Sequence, residues 1–308
     1  MQLTVVIVSY NTVEMTLECL RSVFRETVRA EFEVIVVDNA STDGSAEAIE
    51  AEFSDKLVLI KSPENLGFAA ANNLAAKRVN TEYLLLLNPD TVVLENAIDK
   101  LVDYAIKYPK SGIWGGRTVF ADGSPNPASC WSKMTIWSLF SQAVGTSSIL
   151  KNTTLFNPEG IGGWDRRSER DVDIVTGCFL LIYSKLWNDL SGFNKDYFMY
   201  GEEADLCLRA YKLGARPRIN SEAIIIHHGG ASEKILVDKM VRLMSAKVRL
   251  VRHHFSPNSK KLGTFLLAVW PFSRMFGHVL LGTLGAKKSK QKMTVWREIW
   301  QRRSEWLA

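Results

Sequence analysis

The chain has 308 residues, 46% hydrophobic and 23% charged, an ordinary balance for a soluble globular protein and a length that suits one large α/β domain or a domain with an appendage. A chain of that size needs no disulfide or structural metal to fold. The cysteines (Cys19, Cys130, Cys178, Cys207) lack zinc-site or C-x-x-C spacing, so reduced, at least partly buried thiols of a cytosolic protein are expected. The net charge of +5 is uneven. Residues 255–308 carry ten Lys and Arg against two Asp and Glu, the remainder 28 against 31, so the basic character belongs to the tail and nucleic acid is not an expected partner.

The N-terminal run has no basic n-region and no small-residue cleavage site, and it reads as a first strand at 3–8. Apolar residues at helical spacing over 15–24 follow Thr12, a candidate N-cap. A second strand at 34–37 leads into DNASTDGS and a helical stretch near 46–53. A third at 57–60 leads into NLGFAAANNLAAKR, helix-prone after Gly67. The fourth, Tyr83–Leu87, is apolar throughout, as a strand buried on both faces must be. An amphipathic helix over 95–108 stops before Pro109. Strands alternating with helices imply parallel pairing, and ligands of such sheets sit outside the carboxyl ends of the strands. That geometry gathers SYNT, DNASTDGS, PENLGF and NPDT at one rim, while no G-x-G-x-x-G or P-loop lysine motif is present. Residues 111–170, rich in Gly, Ser, Asn and Trp, read as long loops lining a pocket. Order returns with VDIVTGCFLLIYSKLW, the acidic MYGEEADLCLRAYKLG and AIIIHHGGAS.

Taken in order, VVIVSYN, VIVVDNASTDGS, NLGFAAANN, LLLLNPDT, VTGCFLLIYSKLW, FMYGEEADLCLRAYKLGA and IIHHGGAS resemble the motif series of family 2 glycosyltransferases, closest to the bacterial rhamnosyltransferase-like members, across residues 3–232. The resemblance implies an α/β GT-A fold, a mostly parallel central sheet flanked by helices, here with a C-terminal helical extension. It implies that Asp38 hydrogen-bonds the donor's base or ribose, that Ser9 and Asn11 line the same pocket, and that Asn65 and Gly67 lie beside base and ribose. Asn11 suits a turn equally well, and Gly67 a close backbone approach. NPD stands where the family has D-x-D, with Asn88 in place of the first aspartate, so Asp90 becomes the direct metal ligand. His227, opening HHGGAS in the place of the family's H-x-x-G-x-S, belongs near metal and diphosphate. Mg²⁺ or Mn²⁺ fits, because hard cations combine one or two carboxylates with phosphate oxygens and waters; an imidazole ligand favours Mn²⁺.

The resemblance draws the base from GEEADLCLR. Transfer with inversion needs one carboxylate to take the acceptor's proton on the face opposite the leaving group. Consecutive helical residues point about 100° apart, so Glu202, Glu203 and Asp205 cannot all face one pocket. Glu203, standing where the family has aspartate, is the first choice and Glu202 the second. Asp205 is third and better suited to structure, and acidic first turns also favour the helix dipole. Trp164 and Asp173 flank the entry to the VTG strand as candidates for contact with acceptor or sugar.

In the tail, LGTFLLAVWPFSRMFGHVLLGTL is interrupted by Pro271, Arg274 and His278, so a full bilayer span is not expected. Lys287, Lys288, Lys290 and Lys292 follow, then Trp296 and Trp300 at i,i+4 spacing beside Arg302 and Arg303. This pattern describes a helix lying in an anionic membrane interface. The alternative is a helix pair packed on the domain or on another subunit, as in a homodimer. The expectation is therefore a catalytic domain over 1–254 and a basic amphipathic tail over 255–308. Its activity would be inverting, metal-dependent transfer of a sugar, rhamnose included, from a nucleoside-diphosphate-sugar to a glycan or lipid-linked acceptor, at the cytoplasmic face of the plasma membrane. Two other classes compete. A sugar-nucleotide nucleotidyltransferase would need a Gly-rich loop with Arg and Lys that is not seen; a non-catalytic glycan-binding protein would make Asn88 and Glu203 marks of decay.

Overall fold

The computed structural model describes residues 2–229, 236–283 and 289–308, with the backbone alone for 280–283, 289 and 290. The chain packs as two compact units, Met1–Trp131 with Asp165–Ser232, and Ser132–Trp164 with Glu233–Ala308. The boundary read from charge at 254/255 lies inside the second of these.

The first unit begins with β1 (Leu3–Ser9), α1 (Val13–Glu26), β2 (Phe32–Asp38), α2 (Ser45–Phe53), β3 (Val58–Lys61), α3 (Gly67–Ala76) and β4 (Tyr83–Leu87). It continues with β5 (Thr91–Val93), α4 (Ala97–Lys107), β6 (Ile113–Val119) and β7 (Cys130–Trp131). Helices α5 (Ile136–Val144) and α6 (Thr146–Ile149) belong to the second unit; β8 (Arg170–Asp171), β9 (Ile174–Val175), β10 (Phe179–Tyr183), α7 (Ser184–Asp189), α8 (Glu202–Lys212) and β11 (Arg218–His227) return to the first. Nine strands form one sheet in the order β3-β2-β1-β4-β10-β6-β11-β5, with β8 on β11. β1, β2, β3, β4, β6 and β11 run one way, while β5, β8 and β10 run against them. Every residue of β1 and β4 is buried, which is why both read as unbroken apolar runs.

Two local departures from the sequence reading have physical causes. Helix α4 starts at Ala97 because Glu95 and Asn96 hold φ of 46° and 57°. Thr12 precedes α1, but its side chain does not cap the helix. Instead the Asp43 carboxylate accepts the Val13 N–H at 3.0 Å and the Ser45 N–H at 3.1 Å, tying the starts of α1 and α2 together. Burial alone would raise this carboxyl, and those bonds with the Ser45 hydroxyl hold it below its ordinary value.

The stretch read as loops contains β6, an inner strand of the sheet, and two helices. Gly115 and Gly116 hide the strand, since glycine weakens a strand signal. They are there because neighbours press close. A Cβ on Gly116 would stand 2.2 Å from the Ala223 carbonyl oxygen and 2.4 Å from the Phe179 ring, and one on Gly115 would stand 2.4 Å from Val175 Cγ1. All four cysteines are buried and free.

In the second unit, α9 (Leu236–His254), α10 (Pro257–Thr283), α11 (Ser289–Gln301) and α12 (Arg303–Leu307) follow α5 and α6. Val237, Val241, Met244 and Val248 of α9 share a core with Leu139, Leu267, Ile299 and Trp306. Helix α9, expected with the catalytic domain, therefore owes its buried face to the tail. Lys247 is buried and pairs with Glu159, which also accepts from Gln142. Among the described residues no helix is long and apolar enough to cross a membrane.

The glycine contacts give a direct test of the sheet. Gly116→Ala should lower stability by about 2–3 kcal/mol, the usual range for overpacking. Gly44→Ala, whose methyl meets open space at φ 84°, should cost about 1 kcal/mol. Urea midpoints followed by circular dichroism would compare them; equal losses would show that β6 has slack.

Candidate active site

The carboxyl ends of β1, β2, β4 and β11 lie at one rim, and because β5 and β10 run the other way, their amino ends lie there too. This brings together Asn88 after β4, Asp90 before β5, Cys178 before β10 and His227 at the end of β11. Pairing of His227 with Thr91 sets the Asp90 carboxylate 3.4 Å from His227 Nε2. Its other oxygen accepts the Gly229 N–H at 3.1 Å, and its carbonyl accepts the His228 N–H at 3.1 Å. Burial would raise the Asp90 carboxyl, but the bond and charge of His227 outweigh it and hold it below the ordinary carboxylate value. Burial likewise opposes charge on His227, yet Cys178 beside the ring and Asp90 hold the imidazole above its usual value. Gly230, Ala231 and Ser232 of the HHGGAS run lie outside the described residues.

Asp90 and His227 are the side chains that could hold a metal. No group of three or more His, Cys, Asp and Glu gathers among the described residues. The pair therefore suits a hard cation that completes its shell with phosphate oxygens and water, rather than a closed protein cage.

Helix α8 supplies the acidic cluster. Gly201 at φ 85° lets the chain turn into the helix at Glu202. Asp205, 2% exposed, is committed to Arg209 at 2.7 Å, and Arg209 also donates to the carbonyls of Leu190 and Gly192. Arg209, held by Asp205, thus pins α8 to the turn after α7. Glu202 is buried and Glu203 partly so, and each keeps one unpartnered buried oxygen. Burial raises both carboxyls, and the adjacent charge of Glu203 pushes Glu202 well above the ordinary value. Glu203 Cβ stands 3.8 Å from where a Cβ on Gly177 would be, which puts it against the turn that carries Cys178. Asp173 lies close enough for its charge, after burial and with that of Glu203, to raise the Cys207 thiol.

On the other side of the rim, Asp38 is 4% exposed. One of its oxygens accepts the Ser41 N–H at 3.2 Å and the other is buried without a partner. Ser9 departs from the pocket-lining expectation: it is fully buried, with its hydroxyl bonded to Thr16 at 2.9 Å. Asn11, exposed at φ 51°, accepts the Thr42 N–H at 2.8 Å and acts as a turn residue. Asn65 accepts from Gly67 N–H at 2.9 Å and from Asn39 at 3.0 Å. Gly67 has φ 76°, and a Cβ there would lie 2.5 Å from the Phe198 carbonyl oxygen, so close approach explains it. Trp164 belongs to the second unit, where its N–H closes a turn on Ile161.

The sequence reading passed over Asn39. Buried at 2% exposure, it accepts the Leu66 N–H at 2.9 Å, donates to Asn65, and uses its own N–H on the Ser9 carbonyl at 2.8 Å. It braces the loops that follow β1, β2 and β3, and its place directly after Asp38 was the available signal. Five unpartnered buried atoms belong to predicted site residues: Asp38 Oδ1, Asn88 Oδ1, Glu202 Oε2, Glu203 Oε2 and His227 Nδ1. Folded proteins pair most such groups, so these residues are among those with polar capacity to spare.

The model of the family described as Glycosyl transferase family 2 matches residues 4–181, more than half of the chain. An N-acetylglucosaminyl-diphospho-decaprenol L-rhamnosyltransferase of Mycobacterium tuberculosis is 27% identical over 207 residues, 63% of this chain and 66% of that protein. The rhamnosyltransferase WbbL of Escherichia coli K12 is 27% identical over 188 residues, 57% of this chain and 66% of its own. The chain spans just under two thirds of the length of these relatives. Among solved structures, the mannosyltransferase PcManGT of Pyrobaculum calidifontis, in complex with GDP-Man and Mn²⁺, matches with a TM-score of 0.63 at 17% identity, over 99% of this chain and 87% of that one. S. aureus TarS 1-349 in complex with UDP matches at 0.54 and 16% identity, over 100% and 83%. The structural likenesses show the GT-A fold. With the matched residues covering β1 to β4 and most of β10, the chain belongs to glycosyl transferase family 2.

Proposed function

We propose that this chain is an inverting, metal-dependent glycosyltransferase that moves a sugar, with rhamnose the favoured one, from a nucleoside-diphosphate-sugar to a glycan or lipid-linked acceptor in cell-surface polysaccharide synthesis. The observation that carries this reading is the unpartnered buried oxygens of Asp38, Asn88 and Glu203 on a rim that also holds the Asp90–His227 pair. Rhamnosyltransferases among the relatives, one named for a diphospho-decaprenol acceptor, support the sugar and the lipid-linked acceptor.

In this reading Asp38 accepts hydrogen bonds from the donor's ribose or base, on the loops that Asn39 braces. Asp90 and His227 hold Mn²⁺ or Mg²⁺, which when bound supplies positive charge to the departing diphosphate. Glu203 takes the acceptor hydroxyl's proton. The freed oxygen forms its bond to the anomeric carbon from the face opposite the diphosphate, whose C–O bond breaks with the electron pair leaving on the phosphate oxygen. Burial raises both carboxyls and the charge of Glu203 adds to the rise at Glu202, so in this reading Glu203 is the one that works ionised and Glu202 supports it. A sugar-nucleotide nucleotidyltransferase and a decayed glycan binder both leave this carboxylate arrangement unexplained. The enzyme works at the cytoplasmic membrane face, held there by its basic second unit.

Two measurements bear on these roles. Asp90→Ala should abolish the Mn²⁺-dependent part of nucleoside diphosphate binding in calorimetry while leaving the fold intact. Undiminished affinity in Mn²⁺ would remove Asp90 from the metal. Glu203→Gln should slow transfer roughly 10²–10⁴-fold, the worth of a positioned base, with donor affinity unchanged. Because a base works deprotonated and burial raises Glu203, wild-type activity should rise with pH on a limb above the ordinary carboxylate range. Glu202→Gln should keep that limb. Loss of turnover in Glu202→Gln with normal Glu203→Gln would move the base by one residue.

A further inference from the structure

The second unit is the charged opposite of the first. Its two segments hold 18 Lys and Arg against 5 Asp and Glu, whereas the first unit holds 20 against 28. Exposed apolar side chains are concentrated there as well. Twelve of the twenty large hydrophobic residues most open to solvent among the described residues fall in its 109 positions, eight in the other 199.

Helix α10 explains much of this excess. Leu266 and Leu267 face the unit's core, and Gly263 lies against it, where a Cβ would stand 3.0 Å from Val251 Cγ1. Leu262, Phe265, Phe272, Phe276 and Val279 are exposed, Phe265 by 62% and Phe276 by 56%. At about 100° per residue these five fall within roughly 100° of one another, on the side away from the core residues. The helix is therefore apolar on two faces, only one of which the unit covers. A second uncovered face comes from α5, where Leu139 and Ala143 are buried and Trp137, Phe140 and Val144 are exposed. Trp137 and Phe140 stack at 5.6 Å, so the aromatics are held in place rather than splayed. Helix α10 is tied to α5 where Ser273 donates to the Ala143 carbonyl, and to α6 where Arg274 donates to Ser148 at 2.8 Å.

Of the tail tryptophans, Trp306 is buried, while Trp296 and Trp300 are half-buried. Trp306 is 1% exposed, Trp296 packs on the core and stands 5.9 Å from Trp270, and Trp300 lies 5.6 Å from Phe272. Trp296 and Trp300, which the sequence reading sets in a membrane interface, thus each pack on an aromatic residue of α10, and Trp300 lies beside the exposed Phe272. Lys287 and Lys288 lie outside the described residues, as does the side chain of Lys290. The charge beside the exposed stripe is positive: after burial, Lys292 and Arg274 are the groups that hold His278 of α10 below its ordinary value.

We propose that the outer faces of α5 and α10 together form the surface that docks this enzyme on an anionic lipid bilayer, with Trp137, Phe140, Phe265, Phe272 and Phe276 entering the headgroup region. This rests on the membrane placement proposed above and sharpens its agent, from the charge of the second unit as a whole to an aromatic surface built by two separate segments of it. An apolar face among basic residues is what an interfacial helix presents to lipid. The bilayer is favoured over a second copy of this chain, because two surfaces of the same strong positive charge repel whereas anionic headgroups attract.

The test is sedimentation of the full chain with sucrose-loaded phosphatidylcholine vesicles, with and without 30% phosphatidylglycerol. Phe272→Ser/Phe276→Ser and Trp137→Ser/Phe140→Ser would each be compared with wild type, the folds being checked by circular dichroism and by nucleoside diphosphate affinity. The wild type should bind the anionic vesicles and be released only partly by 0.5 M salt. Each double variant should bind about tenfold more weakly, and what remains should be lost in salt, since the salt-insensitive share comes from apolar burial. A wild type that ignores anionic vesicles would overturn the membrane placement itself. A wild type that binds while both variants bind equally well would overturn this surface and leave the placement standing. Variants that alter only the mass in sedimentation equilibrium would show that the faces join copies of the chain, against the proposal.

Discussion

Three residues of antiparallel pairing hold the candidate site together. β5 is only Thr91–Val93, yet by returning onto Ile225–His227 it sets a carboxylate on one segment against an imidazole 137 positions further along the chain. Without that return, Asp90 would be one more acidic residue in a turn and His227 a histidine after an apolar strand. Reversal of β10 does the same for the TGC turn, bringing it to the rim where β11 ends. A wholly parallel sheet would send the segments before those strands to its opposite end, so the minority direction is what closes the site.

The rim holds carboxylates in two opposed environments. Asp90 has a cationic partner and backbone donors and is kept ionised; Glu202 and Glu203 have burial and each other and are pushed toward neutrality. Their linkage to folding has opposite sign. The stability that Asp90 contributes is present above the unfolded carboxylate range and lost as pH falls through its depressed value. That of the glutamates is present in acid and lost as pH rises through their raised values. Near neutrality α8 therefore begins with a group that the fold would prefer protonated, the kind of local cost that marks a working site.

The alternating strands, the rim and the residues on it were legible because each depends on local pattern: unbroken apolar runs, polar strand ends, and motifs in a known order. Family resemblance carried roles that spacing alone leaves open, such as the choice among Glu202, Glu203 and Asp205; the Asp205–Arg209 bond then accounts for the third. What escaped depends on contacts distant in sequence. Gly115 and Gly116 look like loop residues until Phe179 and Ala223 are beside them, and Ser9 looks like a pocket residue until Thr16 takes its hydroxyl. In the tail, charge counting found the basic end, but the side a tryptophan faces is decided by helices such as α5, whose membership in that unit no local pattern announces.

The thiols have a consequence of their own. Cys19 lies under the NPD turn, its sulfur 3.5 Å from the Asn88 carbonyl oxygen and from Thr91 Oγ1. Cys178 adjoins His227, and Cys207 lies near Glu203. Burial raises the Cys19 and Cys207 thiols to about 12, so neither offers the thiolate that alkylating reagents require. The NPD turn and the acidic helix are thus each backed by a thiol that is silent while buried. An electrophile in solution would reach Cys19 or Cys207 only where the segment over it opens, so the rate of labelling would time that opening from beneath the site.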